Sequence, residues 1–141
     1  MDVNSSISLL SNIHSITADF LTERLKKCGY PEFASSHGNI LFQLSVNEKM
    51  PMGELAEKIN RDKSTTTVLV RKLESEGFIT GEPDPADKRS RIIYLTEKGK
   101  QFNKTARELS KELLGTFYKG FSENEKEEFF KTLLKIKENF S

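Results

Sequence analysis

At 141 residues the chain is long enough for one domain with a core of its own, without disulfide or metal staples. Lys and Arg number 22 against 21 Asp and Glu, a net charge of +1, so total charge neither marks a nucleic-acid binder nor excludes one. One cysteine excludes an internal disulfide, the N-terminus lacks a secretory pattern, and no apolar run nears the roughly 20 residues of a spanning helix. A cytoplasmic protein without membrane contact is expected.

From about Ser6 to Lys27, Leu9, Ile13, Ile16 and Phe20 recur at helical spacing, with Leu10, Leu21 and Leu25 widening the stripe. Gly29 suits a left-handed cap and Pro31 cannot continue the helix. A second helix is expected from Ser35 or Ser36, burying Ile40, Leu41 and Leu44, before a polar turn at Asn47-Glu48-Lys49. Pro51 opens the next segment, a short helix over Glu54–Ile59 with a turn at Asn60-Arg61. Another helix follows from Asp62 through Leu73 to Gly77. Phe78-Ile79-Thr80 reads as a strand, Asp84–Arg91 as a loop and Ile92–Leu95 as the return strand. Thr96 is placed to cap a long helix with Phe102, Ala106, Leu109, Leu113 and Phe117 on its stripe, broken at Gly120-Phe121. Ser122-Glu123-Asn124-Glu125 makes a capping box for a last helix bearing Phe129, Phe130, Leu133, Leu134, Ile136 and Phe140.

The expected fold is mostly α with a small β-hairpin. Helix, turn, helix, hairpin is the order of a winged helix-turn-helix, which places one helix in a DNA major groove. The single domain, 1–141, would hold this reader over about 40–96. The flanking helices, about 6–28 and 97–140, have apolar faces too broad for one small core. A partner subunit covers them economically, and a twofold dimer would face an inverted-repeat operator.

Asp62 stands at the N-cap of the recognition helix, which leaves Lys63, Ser64, Thr65, Thr66 and Thr67 at the end that enters the groove. Four successive hydroxyl residues are poor helix formers, the kind of local violation found at functional sites. By spacing, Leu69 and Leu73 anchor the helix while Ser64, Thr65, Val68 and Arg71 face outward. The plainer readings are a polar cap region and, for Arg71, a surface ion pair with Glu74 or Glu76. At the hairpin tip, Lys88 and Arg91 suit phosphates, which adds salt-dependent affinity with little sequence information.

Three segments in register carry a family resemblance: Arg71-Lys72-Leu73-Glu74-Ser75-Glu76-Gly77-Phe78-Ile79, Asp84-Pro85-Ala86-Asp87-Lys88-Arg89-Ser90, and Leu95-Thr96-Glu97-Lys98-Gly99. In order and spacing they resemble the MarR family of bacterial transcription regulators. The resemblance implies a homodimer paired through its end helices that binds double-stranded operator DNA. It also implies release by a small phenolic or aromatic ligand or by oxidation. By the same resemblance, Arg89 enters a minor groove, whose narrow form attracts arginine, and Asp87 holds the Arg89 side chain or the wing backbone. Val68 departs from the long polar or basic residue common at that place, which affects the operator sequence rather than the binding mode.

Family members that take aromatic acids do so between the dimer helices and the reader, where His14, Phe20, His37 and Phe42 lie on suitable segments. Structural histidines are the plainer reading. Cys28, near Lys26 and Lys27, is a candidate redox switch or an inert thiol. The histidines and the cysteine have no metal-ligand spacing, and no cofactor is expected. With no Gly-rich phosphate loop and no nucleophile motif, an enzyme is not expected. The competing reading is a winged helix that contacts protein without sequence-specific DNA binding.

Overall fold

The first apolar stripe forms helix α1, Ser6–Lys27, after a single 3-10 turn at Val3–Ser5. In this computed structural model, which describes residues 1–33 and 35–141, eight further elements follow. They are α2 (Ser35–Val46), β1 (Met50–Pro51), α3 (Met52–Lys58), α4 (Lys63–Ser75), β2 (Ile79–Asp84), β3 (Asp87–Leu95), α5 (Glu97–Phe117) and α6 (Glu123–Glu138). The strands form one antiparallel sheet in the order β1-β3-β2.

Helix ends follow the local chemistry of the chain. Gly29, Asn60 and Gly77 each adopt positive φ just past a helix. Around Gly77, its own N–H reaches Glu74 O and the N–H of Phe78 reaches Leu73 O, so two orphan carbonyls of α4 are satisfied. Asn60 does the same for α3, with Arg61 N–H on Ala56 O, and that closes the turn of the helix-turn-helix. Thr96 caps α5 through Gly99 N–H, and Ser122 with Glu125 completes the capping box of α6.

Two expectations about the hairpin are corrected. Asp84–Arg91 is not a loop: β3 begins at Asp87 and pairs with β2 out to Asp84, leaving Pro85-Ala86 as the turn. Alternation of side chains from Arg89 to Leu95 keeps the strand in register although its outer half is polar. Pro51 does not start a helix directly. It is the N-cap of α3 and pairs with Ile92 in a short third strand, where an edge position tolerates its missing N–H.

The core lies under the reader. Ile40, Leu41, Met50, Leu55, Leu73, Phe78 and Ile93 are wholly buried. Tyr30, Phe33, Phe78 and Phe102 form an aromatic group with centroids 5.0–6.0 Å apart, which seats the segment after α1 on this core. Helix α1 packs on α5, where Arg24 pairs with Glu112 at 2.6 Å. Neither α1 nor α6 buries a single residue. Ile7, Leu9, Ile16, Leu114, Phe121, Phe130, Leu134 and Ile136 are exposed. No helix among the described residues is long and apolar enough to cross a membrane.

Candidate nucleic-acid interface

Asp62 Oδ1 accepts the Thr65 N–H at 2.7 Å, the expected cap of α4. That backbone hydrogen bond holds the Asp62 carboxyl below its ordinary range. Beyond the cap, Lys63, Ser64, Thr65, Val68 and Arg71 are exposed along one side of α4. Thr67 is half-buried and its hydroxyl donates to Lys63 O at 2.8 Å.

Thr66 departs from the expectation. It is wholly buried, and its hydroxyl donates to Asp62 O at 2.8 Å. The inward face of α4 is Thr66, Val70 and Leu73, at the i, i+4, i+7 spacing, while Leu69 packs half-buried beside the core. Thr66 therefore belongs to the support of the helix. A threonine among threonines gives no local signal of this, because only the phase of the helix separates them.

The wing is organised by its acids. Asp84 Oδ1 accepts the Ala86 N–H and Asp87 Oδ1 accepts the Arg89 N–H, each at 2.9 Å. Asp87 thus grips the wing backbone, one of the two roles expected for it. Lys88 and Arg89 are exposed at the tip. Arg91 does not present a free guanidinium for phosphate. Its two terminal nitrogens bond Glu74 Oε1 and Oε2 at 3.1 and 2.7 Å, tying β3 to α4. That partner pushes the Arg91 pKa up and the Glu74 pKa down. Arg71 consequently does not pair with Glu74, and Glu76 is taken by Lys72.

Between helix and wing lies a cleft of about 660 Å³ lined by Lys63, Thr67, Arg71, Arg89, Ser90 and Arg91. Asp84 and Asp87 also line it, and Met52 and Gly53 close it from α3. Residues far apart in sequence thus present to one concavity three cations, Lys63, Arg71 and Arg89, that have no carboxylate partner among the described residues. The space suits a polyanion backbone running between α4 and the wing. Met52 and Gly53 carry no sequence signal for this place, since nothing in a helix start announces which groove it borders.

The other candidates are not gathered. His14 and Phe42 are exposed, Phe20 sits under Arg24 at 4.7 Å, and His37 contacts Phe33 at 5.6 Å. Burial, then the charge of Lys72, pushes the His37 pKa down. Cys28 is exposed at the C-cap of α1. No group of three or more His, Cys, Asp or Glu among the described residues could hold a metal ion.

Residues 34–90, which span the helix-turn-helix and most of the wing, match the model of the MarR family. The HTH-type transcriptional regulator SarZ of Staphylococcus saprophyticus is 32% identical over 78 residues, 55% of this chain and 53% of SarZ. The uncharacterized HTH-type transcriptional regulator YybA of Bacillus subtilis is 30% identical over 99 residues, 70% of this chain and 66% of YybA. The chain therefore spans about half the length of SarZ and somewhat more of YybA. Among solved structures, a MarR-like transcription regulator from Bacillus cereus superposes with TM-score 0.75 at 19% identity, covering 98% of this chain and 97% of that one. A MarR variant from E. coli, complexed with operator DNA, gives 0.69 at 20% identity, covering 96% and 99%. These two likenesses concern the fold, which they extend to the flanking helices. With the capped recognition helix, the three motifs in register and the wing all in place, the chain belongs to the MarR family of transcription regulators.

Proposed function

We propose that the chain is a homodimeric repressor that reads an inverted-repeat operator, with the start of α4 in the major groove and Arg89 in the adjoining minor groove. One observation carries this reading: α4 and the wing border the same cleft, which gathers Lys63, Arg71 and Arg89. Exposed Ser64, Thr65 and Val68 offer hydroxyls and methyl groups to base edges and thymine methyls. The operator DNA bound by the E. coli MarR variant supports the same mode by analogy of fold. The reading contains no enzymatic step.

Dimerisation is supported by the apolar side chains left uncovered on α1, α5 and α6. Ile7, Leu9 and Ile16 at one end of the chain and Phe130, Leu134 and Ile136 at the other are too many for a monomer's surface to carry without reason. A twofold pairing would bury them and set two α4 helices about one helical turn of DNA apart.

The release signal is assigned to a small aromatic acid or phenol. His37, half-buried against Phe33 with its pKa pushed down by burial, is the best suited of the four candidates. Oxidation at Cys28 is the other trigger, and its exposure gives an oxidant access.

The test is selection from a random duplex library by the purified protein. Enrichment of an inverted repeat with half-sites about one helical turn apart supports the dimeric reader. Absence of any enriched sequence at low salt would overturn it in favour of a protein-contact module. An aromatic acid that binds equally well with and without operator would exclude coupling between ligand and DNA. A Cys28→Ser variant that still leaves its operator on peroxide treatment would exclude the thiol.

A further inference from the structure

Of the cations on the wing, Arg91 alone is spent on a carboxylate, and the surroundings of that pair are specialised. Glu74 lies in the last turn of α4, where free carbonyls make a carboxylate unfavourable unless a cation stands close. Arg91 meets it with both terminal nitrogens, the bidentate geometry that fixes direction as well as distance. Its side chain reaches α4 by crossing β2 at Gly81. A Cβ at that position would stand 2.9 Å from Arg91 Nη2 and 2.8 Å from Ile93 Cδ1. The absence of a side chain is what leaves the lane open.

The position of Arg91 on its strand matters as much. Arg89, Arg91, Ile93 and Leu95 alternate onto the same face of β3. Ile93 and Leu95 are in the core, so Arg91 is the last residue of that face fixed to the body of the protein. Arg89 follows about 7 Å further out at the usual strand rise. Any rotation at the anchor is therefore carried to the tip. On the opposite face, Lys49 bonds Glu82 at 3.1 Å and lies 4.8 Å from the centroid of Tyr94, so the hairpin is held from both sides.

We propose that Glu74, Arg91 and Gly81 form a clamp that sets the angle between wing and recognition helix, making Glu74 and Arg91 positioning residues for the groove contact of Arg89. The proposal rests on the DNA-reading function above. It assigns Arg91 away from phosphate, and it gives an acidic residue near the interface a role in strengthening DNA binding. On charge alone, Glu74 opposes DNA and its removal would tighten binding. Through the clamp, its removal loosens the wing and weakens binding.

The experiment titrates the selected duplex with the full chain over a series of salt concentrations. The variants are Glu74→Ala, Glu74→Gln, Arg91→Ala, the Glu74→Ala/Arg91→Ala double, the swapped pair Glu74→Arg/Arg91→Glu, and Gly81→Ala. Arg89→Ala serves as the groove-contact reference, and thermal midpoints report folding of each protein. Glu74→Ala and Arg91→Ala should each lower affinity about tenfold, with the double no worse than either and the swap recovering most of the loss. The salt slope of the Glu74 variants should stay at the wild-type value, whereas Arg89→Ala should reduce it by about one. Gly81→Ala should reproduce the loss seen in Arg91→Ala. Two results would overturn the clamp while leaving the DNA-reading function intact. One is wild-type or tighter binding by Glu74→Ala and Glu74→Gln; the other is additive losses in the double variant with Arg91→Ala lowering the slope by about one. If the wild type binds no duplex, or Arg89→Ala binds unchanged, the function itself fails and the clamp's role in DNA binding falls with it.

Discussion

Thr65 and Thr66 are neighbours of identical chemistry with opposite environments, and the difference is measurable. Thr66 is buried with its hydroxyl on Asp62 O, so Thr66→Val should cost about 0.5–1.5 kcal/mol of stability and leave operator affinity unchanged. Thr65→Ala should do the reverse, weakening binding with little change in thermal midpoint. A gel-shift titration beside a thermal melt separates the two, and loss of affinity in Thr66→Val without loss of stability would return Thr66 to the interface. For Arg89→Ala we expect a loss of about 1–3 kcal/mol in operator binding, read by the same titration. Unchanged affinity would remove Arg89 from the groove. Val68, 65% exposed on the same helix, has no packing reason to be apolar, which is consistent with a contact to thymine methyls.

At the scale of elements, one of the joints between the reader and α5 is built from backbone. The Phe78 carbonyl accepts the Thr96 N–H, while the Thr96 hydroxyl donates to Gly77 O at 2.6 Å. Here the end of α4, the start of β2 and the start of α5 meet. A Cβ on Gly99 would fall inside the van der Waals shell of the Phe78 carbonyl oxygen and 3.0 Å from Leu95 Cδ2. Gly99→Ala should therefore destabilise by about 1–3 kcal/mol or more, since backbone rather than a flexible side chain must give way. Chemical denaturation checks it, and a variant as stable as wild type would mean that the joint can open at little cost. The tie between wing and α4 adds a pH dependence. Arg91 lowers the Glu74 pKa, so the folded state binds fewer protons than the unfolded chain over the interval between the two values. The stabilisation is complete above the ordinary carboxyl value of 4.5 and is lost as pH falls through the lower folded value. Thermal melts of wild type and Glu74→Gln should converge across that interval, and a constant gap would show that the pair contributes nothing to stability.

For the whole molecule, the decisive quantity is the apolar surface that α1, α5 and α6 leave uncovered. Ile16 and Phe130 are 59% and 57% exposed, so charge at either position removes little packing from the chain's own core. Ile16→Glu and Phe130→Glu should convert a dimer to monomer in sedimentation velocity. Operator affinity should fall about a hundredfold or more as the two half-sites cease to be bound together. A wild-type protein that sediments as a monomer would remove both the dimer and the inverted repeat.

Much of the reader was legible from local chemistry, because capping and turn closure depend on residues only a few positions apart. Asp62, Thr96 and the Ser122–Glu125 box stand where side-chain and backbone geometry require them, and Gly29 and Gly77 supply the left-handed φ that ends a helix. The three motifs in register identified the family for the same reason, each being a short stretch read in order. What local pattern could not give was the phase of α4 and the pairing of distant residues. Thr66 turned inward because the helix had to present Val70 and Leu73 to the core. Arg91 meets Glu74 because its side chain crosses β2 at a glycine, 10 residues before the arginine in the chain. The strands ran longer than their apolar runs because backbone hydrogen bonds across the hairpin, not side-chain burial, hold the outer wing. The sequence by itself determined the helices, their caps and the family. Only the tertiary structure decided which cations face the cleft and which are held by a carboxylate, since charge is distributed by contacts between residues the chain keeps apart.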